Sequence, residues 1–207
     1  MILSNSRGPM LIFLRHGQTV YNTEHRYQGV ADSLLTANGR EQAKAMGTYV
    51  KNYQPTRYYL SPLPRVYETF SYIKEIAPAE YEIVPLLSEI CYGRWEGKTK
   101  DEASKDVVWS QREQDRFHFV HPGSYNGKKG ESYKQLYDRL VPFFEKLATL
   151  DETKNYAVIA HQGVMVAVKK YYESLSDTEA AQIRVPNNTI LRIDMRNGSY
   201  TVNEVVI

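Results

Sequence analysis

Short apolar runs alternate along this chain with segments of helical periodicity, and this alternation limits the folds that are open to it. Met10–Leu14 is predicted as a buried strand, and Tyr156–Ala160, apolar throughout, as a parallel strand covered on both faces. Further strands are predicted at Arg57–Leu60, Tyr81–Leu86, Ile190–Met195 and Tyr200–Val206. The last two flank Asn197-Gly198, a pair that predicts a hairpin turn.

Four helices are predicted between these strands from apolar residues three and four positions apart. The first has Thr36 as its candidate N-cap; the second follows Glu131 and contains Pro142, which should kink or shorten it. The third begins near Gly163, and the fourth opens with the capping box Ser176–Glu179. Strands alternating with helices predict an α/β fold, a three-layer α/β/α sandwich with a mostly parallel central sheet.

Length and charge restrict the class of protein. With 207 residues, one sizeable core and a single domain spanning 1–207 are expected. A net charge of +2, without a basic block, gives no reason to expect nucleic acid or a membrane as a partner. No apolar run approaches the ~20 residues that span a bilayer. The single cysteine, Cys91, excludes an internal disulfide, and residues 1–9 show no signal-peptide pattern, so a cytoplasmic location is expected.

Charged and imidazole side chains follow four of the predicted strands, at the sheet edge where open α/β proteins bind ligands. Arg15-His16-Gly17 follows the first strand, Ser61–Arg65 the second, Glu89 the third and His161-Gln162-Gly163 a fourth. A lone histidine at such a place is more often structural. If the strands are parallel neighbours, however, two arginines, two histidines and one glutamate converge, and such a set is hard to explain as an accident.

These residues belong to a pattern that resembles branch 1 of the histidine phosphatase superfamily, the phosphoglycerate-mutase-like group. The resemblance extends over nearly the whole chain. It is carried by Arg15-His16-Gly17 with Asn22, Gln28-Gly29, Leu35-Thr36 with Gly39 and Gln42-Ala43, Ser61-x-Leu63-x-Arg65 with Thr69, Glu89 with Gly93-x-Trp95-Glu96-Gly97, Gly130-Glu131-Ser132 and His161-x-Gly163.

The resemblance implies a phosphoglycerate-mutase-like fold and a phosphatase that forms a phosphohistidine on His16. It implies that Arg15, Arg65 and His161 bind the phosphoryl group and that Glu89 is the general acid. The carbonyl of Gly17 matches the backbone group that fixes the tautomer of the nucleophile in the family. Further substrate or phosphate contacts are expected from Asn22, Thr19, Gln28, Gly29, Tyr92 and Gln162.

The residue types suit this chemistry in their own right. A neutral imidazole, with an unperturbed pKa near ~6.5, is available as a nucleophile at neutral pH. Guanidinium groups are permanently charged forks for the equatorial oxygens of a transferring phosphoryl group. A glutamic acid that protonates the leaving oxygen needs a pKa raised by burial, so Glu89 should be poorly solvated. No metal or other cofactor is expected, since no clustered His, Cys or Asp spacing suggests one.

Three activities of the family compete: phosphomonoester hydrolysis, phosphoglycerate mutase activity and fructose-2,6-bisphosphatase-like hydrolysis. The interval from Glu89 to His161 is 72 residues, whereas family mutases carry a much longer insertion there. Tyr92 matches a tyrosine that contacts the substrate carboxylate in mutases, and Gly130-Glu131-Ser132-Tyr133 resembles the bisphosphatase form. The short interval favours a hydrolase acting on a small phosphorylated metabolite. A phosphoprotein substrate, an inactive phospholigand-binding module, and a monomer or homodimer all stay open.

Segment 91–130 shows little apolar periodicity, and we predict that it forms a lid-like insertion over the active site. Within it, residues 124–129 separate two motifs that are contiguous in related phosphatases. We expect Lys128 or Lys129 near the mouth of the site, where it would favour a polyanionic substrate; a solvated basic turn is the alternative. The remaining side chains are expected to be structural: Cys91, Trp95 and Trp109 in packing, and His25, His118 and His121 on the surface, with an approach of His121 to substrate left open.

Overall fold

The computed structural model of this chain describes residues 10–196 and 199–207. Its strands are β1 (Met10–Arg15), β2 (Arg57–Leu60), β3 (Glu80–Ile83), β4 (Ser124–Tyr125), β5 (Lys128–Lys129), β6 (Asn155–Ala160), β7 (Thr189–Arg196) and β8 (Ser199–Val206). Six of them form one sheet in the order β3–β2–β6–β1–β7–β8, while β4 and β5 form a separate hairpin. The pairs among β3, β2, β6 and β1 are parallel, and β7 runs antiparallel to both β1 and β8. The predicted mostly parallel sheet is confirmed.

The helices cover both faces of the sheet. They are α1 (Val20–Thr23), α2 (Ala37–Lys51), α3 (Pro64–Ile76), α4 (Lys100–Ala103), α5 (Trp109–Gln114), α6 (Tyr133–Ala148), α7 (Gln162–Tyr172) and α8 (Asp177–Gln182), with 3₁₀ turns at Pro85–Leu87 and Gly93–Trp95. Thr36 caps α2 as predicted, because its side chain accepts a hydrogen bond from Gly39 N. Helix α3 was not among the predicted helices; it begins with Pro64, whose missing N–H is harmless in a first turn.

Alternate residues of the central strands enter two separate cores. Leu11 and Phe13 of β1 pack in a cluster with side chains of α6 and α7, such as Leu136 and Val168. Ile12 and Leu14 pack in a second cluster on the opposite face, with side chains of α2 and α3 that include Met46, Val66 and Phe70. Because strands alternate their side chains between faces, β1 is buried on both sides, which explains its unbroken apolar sequence.

Two predicted boundaries are wrong. Strand β3 ends at Ile83 rather than Leu86, because Pro85 cannot donate to a sheet ladder and opens a 3₁₀ turn. Helix α6 is not shortened by Pro142, which lies on its exposed side while the helix continues to Ala148. The predicted Asn197-Gly198 turn and residues 1–9 lie outside the described residues. The ladder between β7 and β8 does reach the pair Arg196–Ser199.

Segment 91–130 folds around a small core of its own. Trp95, Ala103 and Phe119 form this core, and Tyr27 and Trp109 pack against it. Backbone hydrogen bonds tie the segment to the loop after α1, from Tyr27 N to Lys98 O and from Gly97 N to Tyr27 O, both at 2.8 Å. The packing roles predicted for Trp95 and Trp109 are confirmed. Within residues 10–196 and 199–207, no helix is long and apolar enough to cross a membrane.

Candidate active site

The carboxyl ends of β1, β6 and β2 bring the predicted residues together. These three parallel strands are neighbours in the sheet, and His16 N donates to Ala160 O at 3.0 Å. The imidazole rings of His16 and His161 have centroids 5.2 Å apart, and Arg65 lies in the first turn of α3. Glu89 does not follow its strand directly; it reaches the group from the loop after the 3₁₀ turn Pro85–Leu87.

A cavity of about 460 Å³ opens at this edge of the sheet. Its walls combine Arg15, His16 and Glu89 with other polar, aromatic and basic side chains, while Arg65 and His161 lie behind these walls. The lining residues are Arg15, His16, Asn22, His25, Arg26, Tyr27, Gln28, Glu89, Tyr92, Lys100, Gln162 and Asn187.

His16 presents an unprotonated nitrogen toward a cation. Its Nδ1 lies 2.8 Å from Gly17 O, an acceptor, so Nδ1 carries the proton and Nε2 has the free lone pair. Arg65 Nε donates to this Nε2 at 3.2 Å. Burial, and then the charges of Arg65 and Arg15, lower the pKa of His16 well below the ordinary histidine value. The ring is therefore neutral and nucleophilic at neutral pH.

The two arginines are held in fixed positions by protein acceptors. Arg65 is almost completely buried and donates to Gly29 O at 2.7 Å, Ala31 O at 3.0 Å and Asp32 Oδ1 at 2.7 Å. Arg15 Nη1 donates to Val185 O at 2.6 Å, and its buried Nε has no hydrogen-bond partner among the described residues. Burial lowers the pKa of Arg15 to about 10, which still leaves it a cation at neutral pH.

Glu89 is the buried carboxyl group of the site, with only 3% of its surface exposed. It accepts hydrogen bonds from Ile90 N and Gly163 N, both at 2.9 Å. Burial raises the pKa of Glu89, against the opposing effect of these backbone donors and of Arg65 and Arg15. A Cβ on Gly163 would lie 2.3 Å from Glu89 Oε1, so the approach of this helix to the carboxyl group requires glycine. The predicted poor solvation of Glu89 is confirmed.

His161 is fully buried between β6 and α7. Its Nε2 lies 2.6 Å from Ser61 Oγ, while its Nδ1 has no hydrogen-bond partner among the residues described. Burial, and then the charge of Arg65, lower the pKa of His161 well below the ordinary value. The ring is therefore neutral at neutral pH, and Nδ1 is a buried polar group that a ligand could satisfy.

The further contacts predicted from the sequence divide into two groups. Asn22, Gln28, Tyr92 and Gln162 line the cavity. Thr19 and Gly29 do not line it, and neither do Arg65 and His161. The fully buried Thr19 hydroxyl donates to Gln28 Oε1 at 2.6 Å, and the Gly29 carbonyl accepts from Arg65, so both act on the cavity through a neighbour.

Several lining residues are not among those predicted from the sequence, and Asn187 is the one that contacts His16 directly. Its Nδ2 donates to His16 O at 2.8 Å and to Asn22 Oδ1 at 3.2 Å. A signal was present, because Asn187 lies three residues before the penultimate predicted strand, Ile190–Met195. The amino end of a strand antiparallel to β1 lies at the same sheet edge as the carboxyl end of β1.

The lysines expected near the mouth of the site lie elsewhere. Lys128 and Lys129 form the exposed strand β5 and do not line the cavity; its rim carries Arg26 and Lys100 instead. His121 was expected on the surface, but it is buried against Tyr92 and its neighbours, with Nδ1 2.7 Å from Glu131 O. Among residues 10–196 and 199–207, no group of three His, Cys, Asp or Glu side chains is arranged to hold a metal ion.

Comparison with known proteins agrees with this geometry. The family model described as histidine phosphatase superfamily (branch 1) matches residues 11–207. A 6-phosphofructo-2-kinase/fructose-2,6-bisphosphatase of Gallus gallus is 30% identical over 190 residues, which cover 89% of this chain but only 37% of that protein. A 2,3-bisphosphoglycerate-dependent phosphoglycerate mutase of Nitrosococcus oceani is 29% identical over 213 residues, covering 89% of each. The crystal structure of the alpha-ribazole phosphatase of Shigella flexneri has the same fold, with a TM-score of 0.81 over 96% of both chains at 24% identity.

Proposed function

Because this chain belongs to branch 1 of the histidine phosphatase superfamily, we propose that it hydrolyses a phosphomonoester of a small metabolite through a phosphohistidine on His16. The family places it among the phosphoric monoester hydrolases. One observation carries the specific proposal: a neutral His16 with a bare Nε2 lines the same cavity as Arg15 and the buried acid Glu89, and Arg65 donates to that Nε2.

In the first step, the lone pair of His16 Nε2 attacks phosphorus as the bond from phosphorus to the leaving oxygen breaks. Charge spreads over three equatorial oxygens, and the guanidinium groups of Arg15 and Arg65 are placed to neutralise it. Glu89, whose pKa is raised by burial, gives its proton to the leaving oxygen. Two fixed organic cations supply the charge that this step needs, so the proposal includes no metal ion.

In the second step, water attacks the phosphorus of the phosphohistidine and the N–P bond breaks. The Glu89 carboxylate formed in the first step takes a proton from that water, and His16 leaves with its lone pair restored. The hydrogen bond from Nδ1 to Gly17 O keeps the same nitrogen exposed throughout the cycle. Inorganic phosphate is then released, and all groups have returned to their starting protonation.

Phosphoglycerate mutase activity is a second candidate, favoured by the lining residues Tyr92 and Lys100. A phenol and an ammonium group at the cavity suit a substrate that carries a carboxylate as well as a phosphate. The 72-residue interval between Glu89 and His161 still favours hydrolysis. A panel of small phosphoesters assayed for phosphate release, alongside a mutase assay with 3-phosphoglycerate, separates the two activities.

Trapping of the intermediate tests the proposed mechanism. After brief incubation with a ³²P-labelled phosphoester and an alkaline quench, we expect a protein-bound label that is stable in base and lost in acid. His16→Ala should give neither label nor turnover, whereas His118→Ala, a change at an exposed histidine outside the cavity, should leave both unchanged. Turnover in His16→Ala would overturn the proposal. Phosphate binding with no turnover on any phosphoester would favour a phospholigand-binding module.

A further inference from the structure

Glu96 holds a buried carboxylate that the chemistry above does not use. Only 9% of the surface of Glu96 is exposed, and four backbone N–H groups donate hydrogen bonds to its two carboxylate oxygens. Oε2 accepts from Gly29 N and Ala31 N, each at 3.0 Å, while Oε1 accepts from Val30 N at 3.0 Å and Tyr92 N at 2.9 Å. Within the described part of the chain, no Lys or Arg forms an ion pair with it. Its negative charge is balanced by backbone donors alone.

The backbone that Glu96 binds is the same backbone that orients Arg65. The carbonyls of Gly29 and Ala31 and the carboxylate of Asp32 accept three hydrogen bonds from the Arg65 guanidinium. That guanidinium in turn donates to His16 Nε2. A continuous series of hydrogen bonds therefore runs from Glu96 through the 29–32 loop to Arg65 and the proposed nucleophile.

A second branch of the same contacts reaches the outer part of the cavity. Glu96 Oε1 joins Val30 N and Tyr92 N, and so links the loop after α1 to the segment that carries the lining residue Tyr92. The packing at this junction is tight, because a Cβ on Gly29 would lie 2.0 Å from Ile90 O and 2.4 Å from Glu96 Oε1. Movement of the carboxylate would therefore be transmitted to both walls of the cavity.

We propose that Glu96 is a positioning residue that sets the geometry of Arg65 and Tyr92 for phosphoryl binding and transfer. The inference rests on the proposed function for its catalytic readout, but its binding readout is independent of turnover. Glu96→Gln is the informative change, since the amide keeps the size of the side chain. Its NH₂ group would face backbone donors, so about half of the four hydrogen bonds would be replaced by donor–donor contacts.

The test compares Glu96→Gln with Asp106→Asn, a matched carboxylate-to-amide change in the same segment. Asp106 binds Arg94 and Trp95 Nε1 and does not line the cavity. For Glu96→Gln we expect kcat to fall, and the inhibition constant for inorganic phosphate to rise, each by about tenfold, because small displacements of a phosphate-binding group are expensive. Asp106→Asn should change neither by more than about twofold, even where it lowers Tm by a similar amount.

A double-mutant cycle identifies the route of the effect. If Glu96 acts through Arg65, adding Glu96→Gln to Arg65→Lys should weaken phosphate binding much less than Glu96→Gln weakens it in the wild type. The inference would be overturned if the two substitutions weakened phosphate binding additively. It would also be overturned if Glu96→Gln lowered Tm but left the inhibition constant for phosphate unchanged. Should Glu96→Gln fail to fold, Glu96→Asp keeps the charge on a shorter side chain and should change both constants in the same direction by less.

Failure of the proposed function gives a different result. The protein could lack turnover and still bind phosphate, with weaker binding after Glu96→Gln. That result would support the positioning role of Glu96 and reject the proposed hydrolase activity. Amide exchange in the wild-type protein adds a measurement that needs no catalysis. The amides of Val30 and Ala31 should be as protected as those of the central strands, and rapid exchange there would contradict the proposal.

Discussion

Burial decides the charge of each group that would meet a phosphoryl oxygen or the leaving group. His16 and His161 are neutral because water is excluded and two guanidinium groups lie nearby. The same exclusion raises the pKa of Glu89, so the acid keeps its proton to higher pH than an ordinary glutamate. Arg15 and Arg65 stay charged. The shifts of His16 and Glu89 therefore both lie in the direction that the proposed first step requires, toward a neutral imidazole and a protonated acid.

Substitution of Glu89 should affect substrates according to their leaving groups. Glu89→Gln cannot protonate the departing oxygen, so we expect a loss of about 10²–10⁴-fold in kcat with alkyl phosphates, the range of general acid catalysis. The loss in the first step should be much smaller with p-nitrophenyl phosphate, whose leaving oxygen needs no proton. Burst and single-turnover kinetics on both substrates measure this step. Equal losses on both substrates would contradict the assignment of Glu89 as the acid.

At the scale of elements, the close approach of α7 to the loop that carries Glu89 determines where the acid lies. Gly163 is the point of contact, since its N–H binds the Glu89 carboxylate and its missing Cβ leaves space for Oε1. An added methyl group would also lie 2.6 Å from Leu136 Cδ2 of α6. The packing of α7 against both the Glu89 loop and α6 therefore leaves no room for a side chain at this position.

Gly163→Ala should displace Glu89 while leaving in place the arginines that we propose to bind phosphate. We expect kcat on alkyl phosphates to fall at least tenfold, with a much smaller change in the inhibition constant for phosphate. Gly47→Ala is the control. Gly47 lies in helix α2, away from the cavity, and its added Cβ would lie 3.0 Å from Cδ1 of Ile76 in α3. A variant Gly163→Ala with wild-type kcat would show that Glu89 can move without consequence.

Helix α6 continues through an exposed proline, and this predicts a gain in stability. A proline inside a helix removes one backbone hydrogen bond, and its replacement also increases the entropy of the unfolded chain slightly. Pro142→Ala should raise the free energy of unfolding by about 1–2 kcal/mol, measured by urea denaturation, without changing activity. Pro85→Ala should instead lower stability, because Pro85 begins a 3₁₀ turn where proline is favourable.

The sequence predicted the elements whose signal is local. Strand β1 is apolar at every buried position, and Thr36 is a capping side chain that needs only its own helix. Helix α3 was not predicted, because the two prolines in Ser61-Pro62-Leu63-Pro64-Arg65 are typical of a turn as well as of a helix start. The C-terminal limit of β3 depends on Pro85, which the apolar pattern extending to Leu86 concealed.

The site residues divide in the same way. His16, Arg65, Glu89 and His161 could be predicted because reactive side chains stood near strand ends and in a family pattern. Asn187 and Glu96 escaped notice as functional residues, because their roles consist of contacts with backbone groups distant in sequence. Glu96 stands in a motif of the family and Asn187 lies close to a predicted strand, but neither pattern indicates which distant backbone groups the side chain contacts, because that depends on the tertiary structure.

At the scale of the whole molecule, buried histidines make folding stability depend on pH. His16 and His161 have strongly lowered pKa values, and burial lowers the pKa of His121 to about 4. In the unfolded chain these histidines take up protons as the pH falls below ~6.5, whereas in the folded chain they do so only at lower pH. The stability of the folded state is therefore highest above that pH with respect to these groups, and it decreases as the pH falls further. Glu89 acts in the opposite direction, since its folded pKa is raised.

Each of the three histidines contributes about 1.4 kcal/mol once the pH is one unit below ~6.5, and Glu89 opposes part of this sum. Lowering the pH from 7.5 to 5.5 should therefore reduce the free energy of unfolding by roughly 2–4 kcal/mol. Urea denaturation at constant ionic strength measures this change. His121→Gln should reduce this change by about 1.4 kcal/mol, since one of the three histidines is removed. A free energy of unfolding that is constant over this range, or that rises on acidification, would contradict the account.

The sheet order also determines when during synthesis the protein can become active. Strand β1 is synthesised before the other strands, but its hydrogen-bonded neighbours are β6 and β7. The hydrogen bond from Asn187 to the carbonyl of His16 likewise forms only after residue 187 has been synthesised. These pairings join parts of the chain that are far apart in sequence, so folding is slow and stays incomplete until most of the chain has left the ribosome. A prematurely terminated chain would expose an apolar strand instead of a working catalyst, and would be left to chaperones and proteases.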